Sequence, residues 1–241
     1  MNLTAVIDFE TTGLSPVCGD RATEVAIVLL EGDEVVDRFQ SLMNAGVRIP
    51  AFITHLTGIS NAMVAGAPEA AQVMVEASRF AGKAPLVAHN ASFDRKFWQA
   101  ELALAGLAAP QPFICTLLLS RRLYPQAPNH KLGSLVDFHR LPRTGQAHRA
   151  LADAEMAAGL LTQIRHDLNR LFGVARPTHE LLMSLQVCSR KAVAAHIQRY
   201  LAAASLPPAL SHHARTEKFP SPPKGGALDP EPARLKILFA P

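Results

Sequence analysis

Two carboxylates stand two residues apart near the N-terminus, in Asp8-Phe9-Glu10. They follow the apolar run Leu3–Ile7, which has the composition of a buried strand. Because the side chains of a strand alternate between its faces, Asp8 and Glu10 are predicted to project together from the strand end. Like charges held so close raise each other's pKa unless a cation neutralises them. The pair therefore indicates a divalent-metal site; the alternative is a solvated strand end with two surface acids.

A third acid, Asp94, lies at the start of a predicted helix that follows a short buried strand, Pro85–Ala88. The carboxyl ends of strands are where open α/β sheets place their sites. Aspartate is also an ordinary residue in the first turn of a helix, where it complements the helix dipole. Taken alone, this position is compatible with both roles.

A fourth acid, Asp153, lies on the apolar stripe of a long predicted helix. The stripe consists of Asp153, Ala157, Leu160 and Ile164. A charged group aimed at a core needs a metal or a basic neighbour, because burying it unpaired is costly. His148 cannot share the face of Asp153 on a continuous helix, so it is predicted on the loop that leads in. A histidine beside a metal cluster suits a general base.

Three motifs, in this order, resemble the DEDDh (DnaQ-like) family of 3′→5′ exonucleases, which includes the proofreading epsilon subunit of bacterial DNA polymerase III. They are Asp-x-Glu at residues 8–10, Asn-x-x-Phe-Asp at 90–94 and His-x-Ala-x-x-Asp at 148–153. The resemblance extends over residues 3–168. It implies an α/β, ribonuclease-H-like fold, with a central mixed five-stranded sheet flanked by helices.

The resemblance also implies a mechanism. Its four carboxylates, Asp8, Glu10, Asp94 and Asp153, would bind two Mg²⁺ or Mn²⁺ ions through hard oxygen ligands. His148 would take the proton from the attacking water. The product would be a nucleoside 5′-monophosphate released from a nucleic-acid 3′ end.

By the same analogy, four further residues are candidates for substrate binding: Thr11, Thr12, Leu14 and Asn90. Leu14 would lie against a base of the terminal nucleotide. The alternative for the residues after Glu10 is a simple turn, in which Gly13 supplies the loop conformation. The alternative for Asn90 is that it fixes the turn before the helix.

The elements that must position these residues follow from apolar periodicity and turn signals. Strands are predicted at Leu3–Ile7, Thr23–Leu30, Glu34–Leu42, Pro85–Ala88 and Phe113–Thr116. Helices are predicted at Phe52–Leu56, Pro68–Phe80, Ser92–Ala105, Leu117–Leu123, His130–Phe138, Arg149–Leu168 and Leu182–Leu201, with Pro68 at the first helical position and Ser92 as an N-cap. Antiparallel strands followed by alternating strands and helices indicate a mixed sheet with helices on both faces.

Composition divides the chain into an exonuclease domain (1–170), a helical extension (171–204) and a Pro-rich tail (205–241) that is predicted to be disordered. Residues 1–159 carry 13 Lys and Arg against 15 Asp and Glu, a net −2, whereas residues 160–241 carry 11 against 5, a net +6. The basic tail with its apolar patch Leu235–Phe239 could dock on a polymerase subunit or sliding clamp. The alternative, which is favoured, is an unstructured extension that has no partner.

The apolar runs are too short to span a bilayer, and the N-terminus carries no signal-peptide pattern. Three scattered cysteines fit a reducing compartment, so a cytoplasmic protein without membrane contact is predicted. The favoured function is hydrolysis of single-stranded or frayed 3′ ends, with DNA as the favoured nucleic acid. The alternatives are an RNA-trimming exoribonuclease of the same family and a non-catalytic module that binds nucleic acid or a polymerase.

Overall fold

A computed structural model of the 241-residue chain describes residues 3–143, 145 and 148–204. The tail from residue 205, including the patch Leu235–Phe239, lies outside the described residues. The predictions of disorder and of a docking segment there therefore stay predictions, as does the division into domains.

The central sheet has five strands in the order β3-β2-β1-β4-β5. They are β1 (Leu3–Thr11), β2 (Ala22–Glu31), β3 (Glu34–Leu42), β4 (Leu86–Ala88) and β5 (Phe113–Cys115). Strands β1, β2 and β3 pair antiparallel, whereas β4 and β5 run parallel to β1. The predicted mixed sheet is confirmed. Strand β1 runs past the predicted end at Ile7, so Asp8 and Glu10 lie inside it, opposite Ala26 and Glu24 of β2.

Nine α-helices are found within the described residues. They are α1 (Ala51–Thr57), α2 (Asn61–Ala65), α3 (Ala70–Ala81), α4 (Ser92–Leu104), α5 (Thr116–Leu123), α6 (Leu132–Phe138), α7 (Ala150–Phe172), α8 (His179–Leu185) and α9 (Val193–Ala204). Helix α2 was not predicted. The other helices match predicted ones, although their ends differ and one predicted helix is divided into α8 and α9.

Two predicted helix starts are wrong because other contacts hold the backbone. Pro68 is not the first residue of α3: its carbonyl accepts the Asn44 amide, and Ala70 donates to the Asn44 carbonyl, which keeps residues 68–69 extended. Ser92 is not an N-cap but the first residue of α4, and its hydroxyl donates to the Asn90 side chain.

The single helix predicted at Leu182–Leu201 is also wrong, because the chain breaks between α8 and α9. Gln186 accepts the Cys115 amide and donates to the Phe113 carbonyl, and so ties the break to β5. The Arg122 guanidinium donates to the carbonyl of Cys188. Gln186 still donates its amide to the Leu182 carbonyl, so the helical hydrogen-bonding pattern ends there and the contacts with β5 and α5 fix the residues that follow.

Two apolar cores lie on opposite faces of the sheet. Val6 of β1 packs with α7 on one face, whereas Ile7 and Phe9 pack with α3 and α4 on the other. Alternation along β1 therefore turns Asp8 and Glu10 toward the α7 side. Helices α8 and α9 contribute buried leucine, valine and isoleucine side chains to the α7 core. Among the described residues, no helix is both long and apolar enough to cross a membrane.

Candidate active site

Three groups converge where β1 ends beside the first turn of α7. One ligand atom from each of Glu10, His148 and Asp153 lies within 4.8 Å of the others. Asp153 is half-buried on the stripe that packs toward the sheet, as predicted, whereas His148 precedes the helix and is exposed. Asp8 adjoins the cluster, because Asp94, Asp153 and Glu10 each raise the pKa of its carboxyl.

Asp94 lies near this cluster on a helix of the opposite layer, since its charge contributes to the raised pKa values of Asp8 and Glu10. It lies in the first turn of α4, next to the end of β4, and only 1% of its surface is exposed. Its Oδ1 atom has no hydrogen-bond partner among the residues that the structure describes. A buried carboxylate oxygen without a partner is costly, and a metal ion would supply one.

The surroundings raise the pKa of each of the four carboxyl groups. Burial, followed by repulsion from Asp153 and Glu24, raises the pKa of Glu10 to about 8. Burial raises the pKa of Asp94 to about 8, although backbone amides of Asp94 and Phe9 oppose the shift. Burial also raises the pKa values of Asp8 and Asp153. A bound cation would offset the cost of burial and the mutual repulsion, and so stabilise the charged form of these carboxylates.

The donor set fits hard divalent cations. Glu10 and Asp153 offer carboxylate oxygens, the ligands that Mg²⁺ and Mn²⁺ favour, and no cysteine belongs to their cluster among the described residues. Asp8 and Asp94 are two further carboxylates whose charges act on the same groups. The orphan Oδ1 of Asp94 and the mutual repulsion of the acids fit the same conclusion.

His148 is held in a strained backbone conformation. Its φ of 60° lies in the left-handed region, which non-glycine residues rarely adopt. Its backbone amide donates to the Asp153 carboxylate and lowers the pKa of that group against the effect of burial. The residue that follows it, Arg149, is the N-cap of α7. The backbone of His148 is thus tied directly to Asp153 and to the start of α7.

The predicted substrate residues after Glu10 form a tight turn beside the cluster. The Thr11 hydroxyl donates to the Gly13 carbonyl at 2.6 Å, and the Thr12 hydroxyl accepts the Arg21 amide. A Cβ at Gly13 would collide with the carboxylate of Asp20, which accepts the Ser15 amide, so a larger residue would displace Asp20 from this bond. The φ of Gly13 is not positive, so the expected role in loop conformation is replaced by this packing role. The turn leaves Leu14 77% exposed.

Asn90 adopts a left-handed conformation with a φ of 69°, and its carbonyl accepts the Phe93 amide. This geometry forms the turn between β4 and α4, so Asn90 has the predicted role of fixing the turn before the helix. Asn90 also lines a cavity of about 1130 Å³ that reaches His148 and Asp153. A role in substrate binding therefore stays a prediction.

The same cavity is lined by three cations that were given no role from the sequence: Arg121, Lys131 and Arg143. Arg143 is paired with Asp137 at 2.7 Å. Within the described part of the chain, neither Arg121 nor Lys131 takes part in an ion pair. Local sequence did not reveal them, because α5 and the α6 entry meet the active site only in the folded chain.

Comparisons with known proteins agree with this geometry. The exonuclease family model RNase T matches residues 5–161. The PolC-type DNA polymerase III of Caldanaerobacter subterraneus subsp. tengcongensis is 34% identical over 194 residues, which cover 80% of this chain and 14% of that protein. The 3′-5′ exonuclease DinG of Bacillus subtilis is 39% identical over 167 residues, covering 69% and 18%. The chain thus spans less than a fifth of either relative.

Solved structures extend the comparison. Exonuclease X in complex with 5′ overhanging duplex DNA has a TM-score of 0.60 and 28% identity, covering 76% of this chain and 99% of its own. The nuclease domain of 3′hExo, a DEDDh family member bound to rAMP, has a TM-score of 0.60, 22% identity and coverage of 73% and 94%. The second likeness concerns the fold alone. Together they confirm the predicted ribonuclease-H-like fold.

Proposed function

The chain belongs to the RNase T exonuclease family, and from this premise we propose that it is a metal-dependent 3′→5′ exonuclease that releases nucleoside 5′-monophosphates. The observation that carries the proposal is the buried Asp94 Oδ1, which has no partner in the described residues and belongs to a cluster of four acids with raised pKa values. Without cations, buried carboxylates this close together destabilise the fold. With bound divalent cations, the same oxygens are favourable ligands.

In this mechanism Asp8, Glu10, Asp94 and Asp153 would hold two Mg²⁺ or Mn²⁺ ions. When bound, a metal pair supplies an activated water and neutralises charge on the leaving 3′ oxygen. His148 takes the proton of the attacking water, since its ring lies beside the Glu10 and Asp153 carboxylates and is open to solvent.

The terminal nucleotide is held by the turn after Glu10. Leu14 is exposed and apolar, so a nucleobase that covers it gains hydrophobic contact. The hydroxyls of Thr11 and Thr12 are already bonded within the turn, which gives them the role of shaping it. Asn90, on the wall of the large cavity, is the fourth proposed contact.

The rest of the strand follows the cavity of about 1130 Å³. Arg121 and Lys131 lie on its wall and are free of ion pairs in the described residues, so they are available to phosphates. Contacts of this kind with the phosphates give affinity without sequence preference.

DNA is the proposed nucleic acid, because the relatives with 34% and 39% identity are a DNA polymerase and the exonuclease DinG. An RNA-trimming enzyme is the alternative within the family, since discrimination depends on contacts to the 2′-hydroxyl. Rates on matched DNA and RNA strands, each single-stranded or with a mismatched 3′ end, distinguish the two.

Polymerase association is a second proposal, favoured by the PolC-type relative. Residues 230–241 would be the contact, through Leu235–Phe239. A labelled peptide of this segment should bind a polymerase subunit or sliding clamp. If it binds neither, the tail is not the polymerase contact.

The test of the activity is a time course on a 5′-labelled strand with Mg²⁺ or Mn²⁺. Products that shorten stepwise from the 3′ end, together with released 5′-monophosphates, are expected. A strand that is bound but left intact with either metal would instead support the non-catalytic binding module.

A further inference from the structure

Glu24 is a fully buried carboxylate in the middle layer of the protein. It lies on β2 directly opposite Glu10, in a strand whose following residues are apolar. It accepts four hydrogen bonds: from Arg149 Nε at 3.1 Å, Arg149 Nη2 at 2.7 Å, the Ala150 amide at 3.0 Å and Gln40 Nε2 at 2.8 Å. With these donors it is satisfied without a metal ion, unlike Asp94.

Three of those bonds come from the two residues that follow His148. The Arg149 fork matches a carboxylate in two-point geometry, which fixes direction as well as distance. The Ala150 amide is one of the unpaired N–H groups at the start of α7, so Glu24 caps this helix from another element. Glu24 therefore anchors the point where the chain enters α7.

The anchored segment includes a strained residue. A non-glycine residue at a φ of 60° persists only where its surroundings hold it. His148 itself is exposed, so burial of its side chain does not hold it. The restraint comes from its neighbours: Arg149 and Ala150 on Glu24, and its own amide on Asp153.

We propose that Glu24 and Arg149 are positioning residues that hold His148 in place beside the metal-binding carboxylates. This inference rests on the proposed function, in which His148 is the general base. Arg149 directs its fork inward to Glu24, so it supports His148 through the backbone. Its charge also lowers the pKa of the Glu10 carboxyl, against the larger effect of burial.

The test is the kinetics of full-length Arg149→Ala. We expect kcat to fall by about 10- to 100-fold, the usual cost of removing a supporting partner of a metal-site residue, with KM nearly unchanged. Arg165→Ala is the matched control: Arg165 also anchors α7, through Thr4, Gly32 and Asp33, but at the far end of the sheet. It should lower the thermal midpoint and leave kcat unchanged.

A double-mutant cycle separates positioning from general damage. In a His148→Ala background, Arg149→Ala should lower the single-turnover rate by less than 3-fold, because its effect passes through His148. The same 10- to 100-fold loss with and without His148 would overturn the proposal. Unchanged kcat in Arg149→Ala would overturn it too. An inactive wild-type protein would instead remove the proposed function.

Conservative variants keep the test decisive if Arg149→Ala folds poorly. Arg149→Lys keeps the charge but loses the two-point fork, and Glu24→Gln keeps an acceptor for Ala150 but loses the charge. Each should retain the wild-type thermal midpoint within a few degrees and lose about 3- to 30-fold in kcat. Wild-type kcat in both would contradict the inference.

Discussion

Glu10 and Asp153 bring carboxylate oxygens within 4.8 Å of each other, although one lies on the first strand and the other on the long helix that packs across it. The alternation of β1 turns Glu10 toward α7, and the apolar stripe of α7 turns Asp153 toward the sheet. The packing that builds the core therefore also forces two acids together. The two negative charges repel each other, so the stability of the folded protein and its pH dependence should change when a cation binds.

Stability of the metal-free protein should fall as the pH rises. The pKa values of Glu10 and Asp94 are about 8 in the folded state, above their ordinary values. Between about pH 4.5 and 8 the folded state therefore holds protons that the unfolded state has released, and raising the pH costs stability. Thermal unfolding in EDTA at pH 5, 6.5 and 8 measures this.

The same titration with metal gives the complementary result. Mg²⁺ or Mn²⁺ requires deprotonated ligands, so its stabilising effect should grow with pH. A metal-free midpoint that rises steadily from pH 5 to 8, or a metal effect largest at pH 5, would contradict the raised pKa values.

His148→Ala should reduce kcat by about 10²- to 10⁴-fold, the range for loss of a general base. Because His148 is exposed, the thermal midpoint should stay within about 2 °C of wild type. His166→Ala is the control, since His166 lies on the same helix and is also exposed, beside Asp33. Quench-flow or gel assays at saturating metal measure both; equal rates in the two variants would rule out His148 as the base.

Arg121→Ala and Lys131→Ala should each weaken strand binding about 3- to 10-fold without lowering kcat. Each removes one phosphate contact, so the slope of log K against log salt should become less steep by about 0.7 for a single strand. Arg176→Ala serves as control, because this cation lines a different cavity with Glu31 and Asp33. Fluorescence anisotropy across 50–300 mM salt is the measurement. An unchanged slope in both groove variants would place the strand elsewhere.

Leu14→Ala should raise KM about 5- to 30-fold, corresponding to about 1–2 kcal/mol of apolar contact with the terminal base. The free protein should be unaffected, since the side chain is 77% exposed. Val17→Ala provides the comparison, being close in sequence and 95% exposed. Steady-state kinetics on a short oligonucleotide decide this; similar KM values for both variants would remove Leu14 from the substrate site.

Sequence patterns predicted the site because its spacing is local. The two-residue step of Asp8 and Glu10 and the helical stripe of Asp153 each specify a face, and both faces were identified correctly. Glu24 was not identified, although it is an acid directly before the apolar run Val25–Leu30 of its strand. Its partner Arg149 lies far along the chain, and such pairing depends on the assembled layers.

Helix starts show the same limit on a smaller scale. Pro68 fits the local rule for a first helical residue, yet the bridge between Asn44 and Glu69 delays α3 to Ala70. Ser92 fits the rule for a cap, yet the left-handed turn at Asn90 makes it helical. In both places tertiary hydrogen bonds outweighed local preference.

In the proposed function, four carboxylates form a metal centre that cleaves nucleic acid from its 3′ end. The most direct measurement compares wild type with Asp94→Asn on a strand labelled in its 3′-terminal nucleotide, with and without Mg²⁺ or Mn²⁺. Asn is nearly isosteric and removes the charge of the group whose Oδ1 lacks a partner in the described residues. We expect wild type to release 5′-monophosphates only with metal, and Asp94→Asn to fold but lose at least about 10³-fold in kcat. Comparable metal-dependent release by Asp94→Asn, or equal release by wild type in EDTA, would contradict it.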